Sequence, residues 1–333
     1  MSYQLSILDQ SPVIDGESNA ETLARTVALA QQAEQLGYKR FWVSEHHNSF
    51  DVAGSSPEVL VSYLLAKTEK IRVGSGGVML SHYSPFKVAE NFNVLANLAG
   101  DRVDLGIGKA PGGLPLATSA LQYKSTATPD DFNERLRLLT GFIHNNLPDT
   151  DPFAKLQVTP ATTVQPEIIL LGGSVASAEH AATLGLSYVF AQFINSDERI
   201  LTEAALAYKK IAPHGAFGVA LAVIAADDEQ TATQLANGHE IYKVHLASGR
   251  TLTLTTYEAA DEFGKQSGES YEVKRYEANI VSGTASQIKD QLDKLHSFGV
   301  DEFIFHTPIK QTAARIRSYE LLSPQHLLQP SLV

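Results

Sequence analysis

Cysteine is absent from the 333 residues, which excludes disulfides, thiolate metal sites and a cysteine nucleophile. Positive charge is scarce: 26 Lys and Arg against 37 Asp and Glu leave a formal net charge of −11, with no basic block at either end. Such a chain repels nucleic acid and anionic membrane surfaces unless its charge segregates locally, and no segregation is visible. No apolar run approaches the ~18 residues of a transmembrane helix. The opening "MSYQLSILDQ" lacks the basic n-region and long apolar h-region of a signal peptide. A soluble cytoplasmic protein without nucleic-acid or membrane partners is expected. Apolar residues are plentiful, at 44% with no biased tract, enough for one large α/β domain or two smaller ones.

One pattern recurs: an amphipathic helix ends at a glycine, and an apolar strand begins within a few residues. It appears as "AEQLGYKRFWV" (33–43), "AATLGLSYVFA" (181–191) and "LHSFGVDEFIF" (295–305), with a looser copy in "LANLAGDRVDLGIG" (95–108). Glycine just past a helix end adopts the left-handed conformation cheaply, and the strand turns back under the helix. Repeated returns of this kind build a parallel sheet. Reading outward gives eight strands, near 4–8, 40–44, 71–79, 102–107, 167–171, 187–191, 217–225 and 301–306. Helical patterns lie near 20–36, 57–68, 86–98, 130–145, 174–184, 197–210, 228–247 and 284–297. Runs such as "EIILL" and "FGVALAVIAA" are near-continuously apolar, as in strands covered on both faces. Eight alternations favour a (β/α)8 TIM barrel, here one domain over 1–333, with a doubly wound open sheet as the competitor. Segments 109–129 and 248–281, after strands four and seven, do not fit a minimal barrel and read as insertions or lids. The end of the chain, "AARIRSYELLSPQHLLQP", reads as a closing helix and tail.

A barrel keeps its chemistry at the C-terminal ends of its strands. Strand five runs into Gly172-Gly173-Ser174 and then directly into a helix. Glycines let backbone N–H groups approach an anion, and the helix start adds its positive dipole, so the turn can cradle a phosphate. It can equally be a tight turn with an N-cap. Lys109, one strand away, could add counter-charge. The strings "GSGG" (74–77) and "GIGKAPGG" (106–113) lack the strand–turn–helix context of a dinucleotide fingerprint. Gly76-Gly77 instead suggests that backbone approaches something flat or adopts a conformation barred to other residues.

Strand two ends in "FWVSEHHNSF" (41–50), which places Glu45, His46 and His47 at the same mouth. A metal site would gather His46 or His47 with His82 and His306. Adjacent strand residues point to opposite faces, however, and no H-x-H or H-E-x-x-H spacing occurs, so no metal is expected. A neutral histidine titrating near ~6.5 suits proton transfer or oxyanion stabilisation. A strand-end residue with no chemistry is the bland alternative.

Taken together, "SILDQSP", "WVSEHH", "RVGSGGVMLSHYSPFKVAENF", "RVDLGIGKAPGG", "LLGGS" and the closing "TPI…AARIRSYELL" resemble the bacterial-luciferase-like flavin monooxygenases over essentially the whole chain. The likeness is to the luciferase-like oxidoreductase branch. It implies a (β/α)8 barrel that takes reduced FMN from a separate flavin reductase and uses O2, through a flavin C4a-peroxide, to oxidise a small organic substrate. It implies His46 as the catalytic residue; Glu45 and His47, adjacent to it, then read as its support, holding the loop and orienting its ring. It places a non-prolyl cis peptide at Gly76-Gly77 beneath the flavin ring, and the flavin phosphate at Lys109, Gly172, Gly173, Ser174 and Ser177. A mobile lid follows strand seven, and the chain is expected to be a homodimer, in keeping with the surplus apolar residues of "VLVSYLLA" (59–66). The sequence departs from luciferase at Lys109 (arginine there), Gly173 (acidic), Gly108 (cysteine) and Gln192 (tryptophan). These departures bear on light emission and flavin retention, and leave the barrel and His46 unchanged. A deazaflavin-dependent oxidoreductase, a non-catalytic flavin-binding protein and a metal-dependent barrel hydrolase are the alternatives.

Overall fold

A computed structural model describes residues 3–124 and 131–328. Eight parallel strands close on themselves: β1 (Gln4–Asp9), β2 (Arg40–Val43), β3 (Arg72–Met79), β4 (Val103–Gly108), β5 (Glu167–Gly172), β6 (Ser187–Ala191), β7 (Phe217–Ala225) and, last in the ring, β12 (Glu302–His306). Strand β12 pairs with both β7 and β1, which completes a (β/α)8 barrel. Helices α1 (Asn19–Gln35), α2 (Pro57–Lys67), α3 (Pro85–Ala99), α5 (Phe132–His144), α6 (Val175–Thr183), α7 (Glu198–Ile211) and α10 (Ala285–His296) cover the strands. The helix-to-strand returns depend on the expected glycines: Gly37, Gly100, Gly185 and Gly299 have φ of 81°, 63°, 70° and 97°. Helix starts are fixed by capping boxes, Ser18 with Glu21 on α1 and Thr284 with Gln287 on α10.

Strand alternation sorts the side chains. Leu5, Ile7, Phe41, Val43, Phe303 and Phe305 pack outward against the helices in the main apolar core. Leu8, Trp42, Ile169, Val189, Ala220 and Ile304 fill the barrel's interior. Beneath them lies an ionic floor. Arg40, 2% exposed, pairs with Asp104 at 3.0 Å and with Glu302 at 2.8 Å. Arg72 and the Trp42 indole N–H also bond Asp104. Burial raises the Asp104 pKa even against Arg40 and Arg72.

The segment after β7 departs from the sequence pattern. The single helix expected over 228–247 ends early, as α8 (Glu229–Ala236), and Gly238 turns the chain at φ 80°. The alternating "EIYKVHL" that follows is β8 (Glu240–Leu246), not helix. It pairs antiparallel with β9 (Thr251–Leu254) and β10 (Tyr271–Glu277), and α9 (Tyr257–Ser267) packs on them. Residues 248–281 are thus largely a small sheet and helix, from which β11 (Val281–Gly283) returns to the end of β7. The 109–129 segment forms α4 (Pro115–Leu121), and its residues 125–129, with position 130 of the expected helix, lie outside the described residues. The two segments meet: Leu114 joins the apolar cluster of the small sheet, and the Gln266 side chain accepts from the Leu116 amide at 2.9 Å. The chain closes with α11 (Thr312–Leu321) and α12 (Pro324–Leu327), residues 329 and 330 of the expected tail lying outside the described residues. No helix among the described residues is long and apolar enough to cross a membrane.

Candidate active site

The C-terminal mouth collects most of the residues singled out from the sequence. The loop leaving β2 carries Ser44, Glu45, His46 and His47. The Glu45 carboxylate is fully buried and accepts three hydrogen bonds: from His47 Nε2 at 2.7 Å, the Tyr83 hydroxyl at 2.7 Å and the Met79 amide at 2.9 Å. Burial, then the bond to Glu45, raises the Tyr83 pKa far above its ordinary value. Around this anchor the His47 amide donates to Gly112 O at 2.7 Å, and His82 Nε2 donates to Pro111 O at 2.7 Å. Glu45 and His47 therefore hold the β2 loop to the β4 loop. The ring of His46 is oriented not by these two, as their adjacency suggests, but by Ser44, whose hydroxyl lies 3.1 Å from His46 Nδ1. The His46 amide is fixed separately, by Gly54 O at 2.8 Å.

His46 sits half-buried at the rim, and its Nε2 has no partner among the described residues. Burial lowers its pKa, the neighbouring His47 lowers it further, and Glu45 opposes both. The ring is neutral near neutral pH, ready to take or return a proton at Nε2. With His47 and His82 engaged as above, no group of three or more metal-ligating side chains gathers among the described residues.

Gly76 and Gly77 are joined by a non-prolyl cis peptide. The barrel's own packing requires both glycines. A Cβ on Gly76 would stand 2.8 Å from Leu8 Cδ1 and 3.1 Å from the Trp42 ring, and one on Gly77 would stand 2.7 Å from Gly106 O. The register of β3 against β4 shifts between Ser75 and Val78, so the bare backbone bulges at this point.

The β5–α6 turn forms a compact polar cluster. Ser174 caps the helix, accepting from the Ser177 amide at 3.2 Å, and its hydroxyl lies 2.9 Å from that of Ser177. Ser177 in turn meets the Tyr188 hydroxyl at 2.7 Å, and Asn195 donates to Gly173 O at 2.8 Å. A Cβ on Gly172 would come within 2.5 Å of the Ser177 hydroxyl, whereas Gly173 has room for one. The amides of Val175 and Ala176 have no intrahelical acceptor, as at any helix start, so donors converge on one spot. Lys109 stands at the neighbouring strand end, exposed, with Nζ 5.9 Å from the Phe132 ring centroid; no polar contact joins it to the cluster among the described residues.

A second network, not anticipated from the sequence, braces the mouth. Asp9, at the end of β1, accepts from Arg315 of α11 at 2.6 Å and from Thr26 of α1 at 2.7 Å. Burial alone would raise the Asp9 pKa, but Arg315 and its hydrogen bonds hold it below the carboxylate range. Arg315 also donates to Thr307 O at 3.2 Å, which secures the end of β12. These partners are up to 306 residues apart, so no local spacing signals them. Serine two residues before His46 is the one local hint of the Ser44 bond.

Comparison with known proteins gives a consistent likeness. Residues 2–302 match the model of a family described as luciferase-like monooxygenase. The N-acetyl-S-alkylcysteine monooxygenase of Bacillus subtilis (strain 168) is 45% identical over 324 residues, 96% of this chain and 97% of its own. Among solved structures, apo-MsnO8 is 33% identical with a TM-score of 0.77, covering 99% of this chain and 100% of that one. The oxygenating constituent of 3,6-diketocamphane monooxygenase from Pseudomonas putida, a type II Baeyer-Villiger monooxygenase solved with FMN, shares the fold at 19% identity and TM-score 0.71, with 99% of each chain covered.

Proposed function

Because this chain belongs to the luciferase-like monooxygenase family, we propose that it is an FMN-dependent enzyme that transfers one atom of O2 to a small organic substrate. The other oxygen atom leaves as water, with both electrons drawn from reduced FMN supplied by a separate flavin reductase. The observation that carries the reading is the shared mouth: a neutral His46 with a free Nε2 and a phosphate-sized cluster of donors on the same rim of one barrel.

The residues present fit such a cofactor. Ser174, Ser177 and the free amides at the start of α6 would hold its phosphate, and Gly172 keeps that cradle clear of a side chain. Gly76 and Gly77 would offer bare backbone to its ring. Lys109 would contribute charge rather than a fixed bidentate contact. His46 holds and returns a proton at Nε2, with Ser44 setting the ring's orientation. Glu45, through His47 and Tyr83, keeps that loop in place. The small sheet β8–β10 with α9 would limit water at the mouth.

A thioether of the N-acetyl-S-alkylcysteine type is the substrate class to test first, given the 45% identity to an enzyme named for it. A homodimer fits the outer face. Val59 and Tyr63 of α2, exposed at 67% and 54%, line a groove of about 790 Å³ between α1 and α2, and Leu98 of α3 is exposed at 72%. Light scattering should give twice the 36.0 kDa chain mass. The function itself is tested by oxygen uptake with a flavin reductase, FMN and N-acetyl-S-benzylcysteine. Turnover that consumes the thioether is expected. FMN binding with no thioether-dependent oxygenation would make the chain a flavin carrier instead.

A further inference from the structure

Alternation along β12 points Glu302, Ile304 and His306 into the barrel: the first in the ionic floor, the second in the apolar interior, the third at the mouth. Of its two neighbours, β7 places the small Ala222 at that level and β1 places Leu8 one step beyond the Ile7–Phe305 pair; farther round the ring the inward ends of β6 and β4 are small, Ala191 and Gly108. His306 pairs in register with Ala222, and its ring lies 6.0 Å from that of Phe193. It is half-buried, with Nδ1 fully enclosed and unpartnered. Nε2 is not enclosed, and no hydrogen bond reaches it among the described residues, so the edge that carries it is open to the mouth. The backbone beneath is rigid: Arg315 holds Thr307 O, and the Thr307 amide donates to the Tyr319 hydroxyl at 3.3 Å. Among the described residues the one protein acceptor facing the ring is the Leu8 carbonyl, which can accept from a single ring nitrogen, so a polar ring fixed this firmly keeps the other nitrogen for a ligand.

We propose that His306 is a substrate-anchoring residue whose Nε2 hydrogen-bonds an amide group of the bound substrate. The inference rests on the thioether amide class proposed above. It favours a neutral group over a carboxylate because the ring stays neutral: burial, then Arg315 and His46, resist its protonation, and the nearby Asp9 charge is already matched by Arg315. A neutral imidazole has one donor and one acceptor nitrogen, and an amide answers either. His306 flanks β1 on one side as His46 does on the other, so an anchored amide would hold the rest of the substrate beside the proton-carrying ring.

The test is calorimetric titration of the full chain with excess oxidised FMN, using two ligands that differ only in the acetamido group: N-acetyl-S-benzylcysteine and 3-(benzylthio)propanoic acid. In the wild type the first should bind more tightly. His306→Phe should weaken it by about tenfold, the scale of one hydrogen bond, leave the second ligand unchanged, and raise KM rather than lower kcat. His306→Gln, which keeps a polar amide edge, should recover part of the loss. Equal binding of the two ligands by the wild type, unchanged binding by His306→Phe, or an equal loss for both ligands would each overturn the assignment. His306-dependent binding without oxygenation would support the anchor and sink the monooxygenase reading.

Discussion

His306 makes the protein acid-sensitive within a defined window. In the folded chain its pKa is pulled down to about 4, first by burial and then by the Arg315 charge, with His46 disfavouring a second proton beside it. An unfolded histidine titrates near ~6.5. Between these values the unfolded chain binds a proton that the folded chain refuses, so stability falls as pH drops from ~6.5 to about 4 and levels off below both. The loss from this residue is about 2 kcal/mol at pH ~5 and about 3 kcal/mol at pH ~4. For 333 residues, a change of about 2 kcal/mol corresponds to roughly 3 °C in Tm. His46, also lowered, acts in the same direction. Scanning calorimetry of the wild type and His306→Phe at neutral pH and at pH ~5 isolates the effect. The variant should lose about 3 °C less than the wild type across the same interval, and His306→Gln should behave like it. An identical drop in all three proteins would refute a desolvated, neutral His306.

Three further outcomes follow from the geometry. Glu45→Gln turns one acceptor into a donor among three donors and should cost about 1–3 kcal/mol in urea unfolding; adding Tyr83→Phe should cost less than it does alone, and strict additivity would count against the three-donor anchor. Arg40→Met takes from buried Asp104 and Glu302 the cation they share and leaves them only Arg72 and Lys39, so a loss of about 3 kcal/mol in thermal unfolding is expected, while FMN affinity by fluorescence quenching stays unchanged. Gly172→Ala drives a Cβ toward the Ser177 hydroxyl and should weaken FMN binding by about tenfold, again by fluorescence; wild-type affinity would remove the β5–α6 turn from the phosphate site.

Most of the barrel is local in the sequence. Gly37, Gly185 and Gly299 each mark a helix end, and the apolar runs behind them lie within a residue or two of β2, β6 and β12. The region after β7 was legible only in part, because helical and alternating patterns overlap across "ATQLANGHEIYKVHL" and the turn rests on Gly238 alone. The site divides in the same way. His46 and the Gly172–Ser177 turn stand at strand ends, where position suggests a role. The bonds that set their geometry run between distant segments, Glu45 with Tyr83 and Asp9 with Arg315, and depend on barrel closure. Adjacency suggested that Glu45 and His47 would steer His46. The folded loop instead turns them toward the β4 loop and leaves the ring to Ser44.

The most direct measurement is isotopic. Reduced FMN and the protein are mixed with 18O2 and a panel of small thioethers that includes N-acetyl-S-benzylcysteine, and the products are weighed by mass spectrometry. One 18O atom in the oxidised thioether is expected, with a yield about 100-fold lower for His46→Ala while flavin oxidation continues. Unlabelled product, or labelled product no more abundant than free reduced FMN gives without the protein, would contradict flavin-dependent oxygen transfer at this site.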